Sequence, residues 1–148
     1  MGKTTIRIEK ITDKAALPVY MTEFSSGMDL YAAMDKNIVI MPMGRALIPT
    51  GIKAEIPKGY ELQVRPRSGL AWEYGIGILN SPGTIDSDYR GEIKVILVNL
   101  SRKKFSVKPS SRIAQMVLNR TERAIVKSVK SVNATARGSG GFGHTGYK

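Results

Sequence analysis

The 148-residue chain has no cysteine and a single histidine, His144. Without thiols there is no disulfide framework, no Cys-ligated zinc and no cysteine nucleophile. One imidazole excludes a multi-histidine metal site and argues against a histidine-based triad. No apolar run approaches the roughly 18 residues of a membrane helix. Met1–Lys10 lacks the apolar stretch of a secretory signal, and Ile6 breaks the myristoylation pattern that Met1-Gly2 would open. A cytoplasmic protein is the expectation. Acidic residues are also scarce in the last third. Residues 94–148 hold 12 Lys and Arg but only one acid, Glu122, whereas residues 1–93 hold 11 of each sign. The whole net charge of +11 therefore sits in the last 55 residues, where it favours polyanionic ligands or simply a solvated surface.

Long period-3.6 patterns are missing too, which excludes folds built on crossover helices. Short strand patterns fill the chain instead. Tyr60–Arg65 and Ile52–Ile56 alternate apolar and polar residues, as half-buried strands do. Lys36–Met41, Ala46–Ile48, Gly75–Leu79, Phe105–Val107, Ile113–Leu118 and Ala124–Val132 add further strands. Glu92–Leu100 is nearly all apolar, which suits a strand covered on both faces. Turn residues recur about every ten positions, at Pro42, Pro49–Gly51, Pro57–Gly59, Pro82-Gly83 and Pro109–Ser111. That spacing predicts an all-β sandwich or barrel. The one helix expected is short, over Gly69–Tyr74. Residues 1–135 read as a β domain. Residues 136–148, with Gly138, Gly140, Gly141, Gly143 and Gly146, cannot build a core and read as a flexible arm.

Several stretches hold candidate chemistry. Gly138–Gly143 fits G-x-G-x-x-G, but the sequence given ends five residues later, without the helix a dinucleotide site needs. Gly141–Gly146 has P-loop spacing, but Tyr147 stands where a lysine is required. Arg65–Ala71 follows a strand directly. Its two arginines, Ser68 and Gly69 could cradle an oxyanion, or form an ordinary surface turn. Asn80–Glu92 gathers Asp86, Asp88, Tyr89, Arg90 and Glu92 around a turn, as either a functional loop or a self-paired charged hairpin. At strand period, Asp86 and Asp88 would point the same way and could chelate a cation.

Five of these stretches, in order, closely resemble the trimeric dUTP pyrophosphatase (dUTPase) family. They are Gly27-Met-Asp-Leu-Tyr-Ala-Ala33, Pro66-Arg-Ser-Gly-Leu-Ala71, Gly83-Thr-Ile-Asp-Ser-Asp-Tyr-Arg-Gly-Glu92, Arg112-Ile-Ala-Gln-Met116 and Arg137-Gly-Ser-Gly-Gly-Phe-Gly-His-Thr-Gly146. Each motif alone is weak, and five in order are specific. The resemblance implies a distorted jelly roll in a homotrimer, with active sites at subunit interfaces and each arm closing over a neighbour's site. It implies hydrolysis of dUTP to dUMP and pyrophosphate, which keeps uracil out of DNA and supplies dUMP for thymidylate synthesis.

The resemblance also implies roles for single residues. Asp86 is the general base that activates water for attack on the α-phosphorus. Arg67, Ser68, Gly69, Gln115 and Arg137 bind phosphates. Asn80 and the backbone of Thr84, Ile85 and Lys94 read the uracil edge. Tyr89 packs under the deoxyribose and rejects a 2′-hydroxyl. Phe142, with Gly143 beside it, stacks on the base. Mg²⁺ rides on the triphosphate, with Asp29 contacting its water shell and no protein group binding the metal directly. Cytosine would leave buried groups unpaired, at roughly 1–3 kcal/mol each.

Three alternatives stand beside this reading, one of them an inactive dUTPase-like regulator that only binds, against which the intact Asp86, Ser68 and Arg137 argue. A dCTP deaminase-like enzyme would share the fold, but this chain has Gly69 and the arm where that family differs. A basic nucleic-acid-binding module would use the positive half. Aromatics make up only 7% of the chain and do not interleave with basic residues on any strand, so no nucleic-acid partner is expected.

Overall fold

The computed structural model describes residues 4–146. Met1–Lys3, Tyr147 and Lys148 lie outside the described residues, and with them the two ends of the expected domain and arm. The elements run β1 (Arg7–Lys10), β2 (Val19–Tyr20), β3 (Met28–Tyr31), β4 (Ile38–Ile40), β5 (Arg45–Pro49), β6 (Ile52–Glu55) and β7 (Tyr60–Arg65). They continue with α1 (Ser68–Tyr74), β8 (Ile76–Ile78), β9 (Gly83–Ile85), β10 (Lys94–Asn99), β11 (Phe105–Val107) and β12 (Arg112–Arg120).

Every strand pairing is antiparallel. A five-stranded sheet, β2-β3-β12-β7-β9, and a three-stranded sheet, β5-β10-β8, form the two main layers. The pairs β1-β6 and β11-β4 complete the jelly roll. Both layers contribute to one core cluster: Leu30, Leu62, Val64 and Met116 from the first, and Ile48, Ile76, Val95 and Leu97 from the second. The alternation of β7 buries Leu62 and Val64 and leaves Glu61 and Gln63 half-covered, as period two requires. The apolar run of β10 buries Val95, Leu97, Val98 and Asn99. Helix α1 has only Leu70 against the core.

Two sequence expectations differ from the structure. Ala124–Val132 forms no strand; among the described residues the chain after β12 contains no helix or strand. Its apolar spacing suits a ladder, but a strand also needs a partner, and none pairs with it among the described residues. Ile125, Val126, Val129 and Val132 are exposed as a result. Asp86 and Asp88 are not on a strand face. Asp86 opens a turn in which the Tyr89 N–H donates to the Asp86 carbonyl at 3.1 Å. Period-two geometry therefore does not apply to the pair.

Candidate active site

The first cluster forms where β3, β12 and the end of β7 meet. Register sets Gln115 of β12 opposite Asp29 on one side and Arg65 on the other. Asp29 is buried to 8% exposure, so its charge needs compensation. Arg112 supplies it, with Nη1 donating to Asp29 Oδ2 at 3.1 Å. Arg67 adds a second contact, its Nε 3.5 Å from Asp29 Oδ1. The Arg67 Nη1 also donates to the Arg112 carbonyl at 3.0 Å. One carboxylate thus orients two guanidiniums and leaves the corner one positive charge in excess. Gln115 Nε2 donates to the Pro66 carbonyl at 2.9 Å, which ties β12 to the chain just before Arg67. A Cβ on Gly27 would stand 2.5 Å from Gln115 Oε1, so only glycine allows this approach. Ser68 and Gly69 are exposed at the rim, with open space where a Gly69 side chain would go. An exposed hydroxyl and two fixed arginines suit an oxyanion.

The second cluster surrounds a cavity of about 400 Å³ between the β9 hairpin and the outer face of β5 and β10. Thr84, Ile85, Asp86, Tyr89 and Lys94 line it, together with Leu47, Glu92 and Ile96. Glu92 braces the wall: its Oε1 accepts the Gly51 N–H at 2.9 Å, and its Oε2 lies 3.4 Å from Lys94 Nζ. The Tyr89 hydroxyl donates to the Glu92 carbonyl at 3.1 Å. Gly91 permits that fold-over, since a Cβ there would meet the Tyr89 oxygen at 2.3 Å. The Asp86 carboxylate is exposed at the mouth. Asn80 sits beside Gly83 and outside the lining residues.

The third group, Arg137, Phe142 and Gly143, lies on the arm and reaches neither cluster. The arm holds only local turns. The Arg137 Nε donates to the Gly140 carbonyl at 2.8 Å, and Phe142 is fully exposed.

The two clusters also lie apart. Ile85 pairs with Leu62 near one end of β7, whereas Arg67 follows the other end. Five residue steps of extended chain separate Leu62 from Arg67, a rise of roughly 17 Å. Asp86 and Ser68 of one chain therefore do not face a common ligand. Sequence reasoning gave no role to Arg112, Glu92, Leu47 or Ile96. Arg112 opens the fourth motif and could have been singled out, but its partner Asp29 is 83 residues away and only the fold joins them.

Among the described residues, no group of three or more His, Asp or Glu side chains is placed to hold a metal ion. The two shifted titrations lie outside both clusters. The Tyr60 phenol is lowered by a hydrogen bond from Thr4 and then by Arg120. The Lys14 ammonium is raised by its hydrogen bond and ion pair with Asp35. Among the described residues, no helix is long and apolar enough to cross a membrane.

A jelly roll bearing an arginine corner, a nucleoside-sized cavity and a glycine-rich arm defines a β-barrel protein of nucleotide chemistry. The dUTPase family model matches residues 13–146, and the chain belongs to that family. It is 54% identical over 146 residues to a deoxyuridine 5′-triphosphate nucleotidohydrolase of Fusobacterium nucleatum, covering 99% of each. A mutant dUTPase of Staphylococcus bacteriophage 80alpha, solved with dUpNHpp, shares the fold at a TM-score of 0.88. It is 22% identical and covers 97% of this chain and 99% of that one. A mutant dUTPase of the Staphylococcus aureus phage phi11, solved with a structural Mg(II) ion, matches at 0.80 and 19% identity. It covers 88% of this chain and 100% of that one. Neither a deaminase nor a binding module is favoured over this membership.

Proposed function

We propose that this protein hydrolyses dUTP to dUMP and pyrophosphate in the cytoplasm, where the charged substrate is retained. The observation that carries the reading is the β9 cavity, which gathers Thr84, Ile85, Asp86, Tyr89 and Lys94 around one nucleoside-sized space. Backbone groups of Thr84, Ile85 and Lys94, with the nearby Asn80, pair with the uracil edge. Tyr89, held over Gly91, packs against the deoxyribose and leaves no room for a 2′-hydroxyl. Asp86, at the mouth, takes a proton from water as the water oxygen bonds to the α-phosphorus. The bond from that phosphorus to the bridging oxygen breaks, and pyrophosphate leaves with the electron pair. Positioning and charge stabilisation supply most of such a rate enhancement.

Arg67, Ser68, Gly69 and Gln115 receive the phosphates, and Ser68 donates to the α/β bridge. The separation of roughly 17 Å along β7 supports a homotrimer in which the corner of one chain meets the cavity of a second. The arm of residues 136–148 then brings Arg137 to the γ-phosphate, and Phe142 and Gly143 to the base. The donor set fits an ion held by the triphosphate and water, since the corner offers one carboxylate, Asp29, and not a cage. Asp29 keeps lone pairs beyond those used by Arg67 and Arg112, and these suit the water shell of Mg²⁺. When bound, Mg²⁺ neutralises charge on the phosphates.

Pyrophosphate release from dUTP, dCTP, dTTP and UTP tests the reading, for the wild type and Asp86→Asn. Release from dUTP alone, reduced by about 10²–10⁴-fold in the variant, is expected. Equal release from dCTP or UTP, or an active Asp86→Asn, overturns it.

A further inference from the structure

Three successive cations, Arg102, Lys103 and Lys104, occupy the loop between β10 and β11. Neighbouring like charges repel, and such a run ordinarily splays into solvent. This loop is pinned instead. Asn99 is wholly buried, and its Nδ2 donates to the Ile40 carbonyl at 2.9 Å and to the Lys103 carbonyl at 2.8 Å. Its Oδ1 accepts the Ser101 N–H at 3.0 Å. The Ser101 hydroxyl lies 2.8 Å from Asn99 Oδ1 and 3.0 Å from the Lys103 carbonyl, so it donates to one of them, and it accepts the Lys103 N–H at 3.3 Å. A buried amide with both its N–H donors and its oxygen hydrogen-bonded makes a rigid support. It holds the basic tip in place and serves neither cluster of the dUTP site.

Beside this tip lies the C-terminal end of α1. The rings of Tyr74 and Phe105 meet with centroids 5.4 Å apart and planes tilted by 53°. A cavity of about 490 Å³ opens between them and the loop. Its lining carries the three cations and one acid, Glu73, for a net charge of +2. Among the described residues none of the three cations is ion-paired. Two aromatic rings flanked by unpaired cations are what a nucleotide unit requires: a π-face for the base and positive charge for phosphate. The three cations span ~7 Å of chain, more than one phosphate occupies and suited to successive phosphates. An acidic peptide would use the cations but not the rings. A membrane surface would need an apolar wedge, and Trp72, exposed at 91%, lies about 200° around α1 from Tyr74.

We propose that this cavity binds single-stranded nucleic acid, one base stacking on the Tyr74–Phe105 pair and the flanking phosphates lying along Arg102, Lys103 and Lys104. The site stands apart from the dUTP clusters and does not rest on them.

Fluorescence anisotropy of a labelled 15-nucleotide oligo(dT) with the full chain, over a series of salt concentrations, tests it. The affinity is expected to fall with salt at a log–log slope of about −2, from three phosphate contacts at ~0.7 each. Replacing Arg102, Lys103 and Lys104 together by Ala should weaken binding at least tenfold and flatten the slope by about 2. Tyr74→Ala should weaken binding about fivefold or more without changing the slope, and Tyr74→Phe should restore it. Trp72→Ala should leave binding unchanged, and the triple variant should turn over dUTP as the wild type does. The proposal fails if the oligonucleotide does not bind, or if either the triple variant or Tyr74→Ala binds as the wild type does. It also fails if polyglutamate, phosphatidylserine vesicles or free dTMP bind as tightly as the oligonucleotide.

Discussion

The proposed function gives both the arginine corner and the arm to the triphosphate, and they are built in opposite ways. Asp29, Arg67, Arg112 and Gln115 are locked by sheet register, two ion pairs and a hydrogen bond to Pro66 before any ligand arrives. Among the described residues the arm has only short-range turns, and Phe142 is fully exposed. A preformed corner costs little to use when the ligand binds. An arm must be ordered at that moment, so part of its binding energy is spent on lost conformational freedom. On the proposed function the difference separates two tasks: the corner would select and orient phosphate, and the arm would make the site dry and complete only once substrate is present.

The strongest test of that division removes the arm. Truncation after Ala136 should lower kcat/KM for dUTP by about 10²-fold or more, with loss of the Arg137 clamp and of closure. Thermal unfolding should stay within a degree or two of the full chain. A large fall in the melting temperature would instead mean that the arm packs on the barrel. A smaller effect is expected from Gly27→Ala, which places a methyl group 2.5 Å from Gln115 Oε1 and displaces the amide. Steady-state kinetics should give a KM about tenfold higher, near 1.4 kcal/mol. Combined with the truncation, the two losses should multiply if corner and arm act independently. The smallest effect belongs to Arg112→Ala. It leaves the Asp29 carboxylate with Arg67 alone, and since the Arg112 side chain is 41% exposed the loss should be about 1 kcal/mol in urea unfolding. An unchanged midpoint would show that Arg67 alone compensates Asp29.

Legibility in the sequence followed the length and regularity of each element. The six-residue alternation of β7 and the apolar run of β10 were plain, because each carries enough side chains to state its period. Strands β1, β2, β3 and β9 were not, whereas β4, β8 and β11, at three residues each, were read because turn or glycine residues bound their apolar pattern. In β3, Asp29 interrupts three consecutive buried positions, so neither alternation nor a continuous apolar run appears. Ala124–Val132 failed for the opposite reason: its spacing is good, but spacing does not provide a neighbour. The site divides in the same way. Thr84, Ile85, Asp86, Tyr89 and Lys94 of the β9 cavity are close in sequence and were named together, whereas Leu47, from a distant strand, was not. The link from Arg112 to Asp29 depends on the register between β12 and β3. The pairing of Tyr74 with the basic loop was equally hidden, since α1 and the β10–β11 loop meet only in the fold, whereas interleaving was sought within single strands.

The placing of Asp86 and Arg67 at opposite ends of β7 bears on how defects in this gene would combine. A chain damaged at the cavity still carries a sound corner, and a chain damaged at the corner still carries a sound cavity. In the shared-site assembly proposed above, a damaged chain harms sites that belong partly to its neighbours, so one faulty allele depresses the product of a healthy one. Two faulty alleles of different kinds, brought into one cell, can also rebuild a working site that neither could make alone.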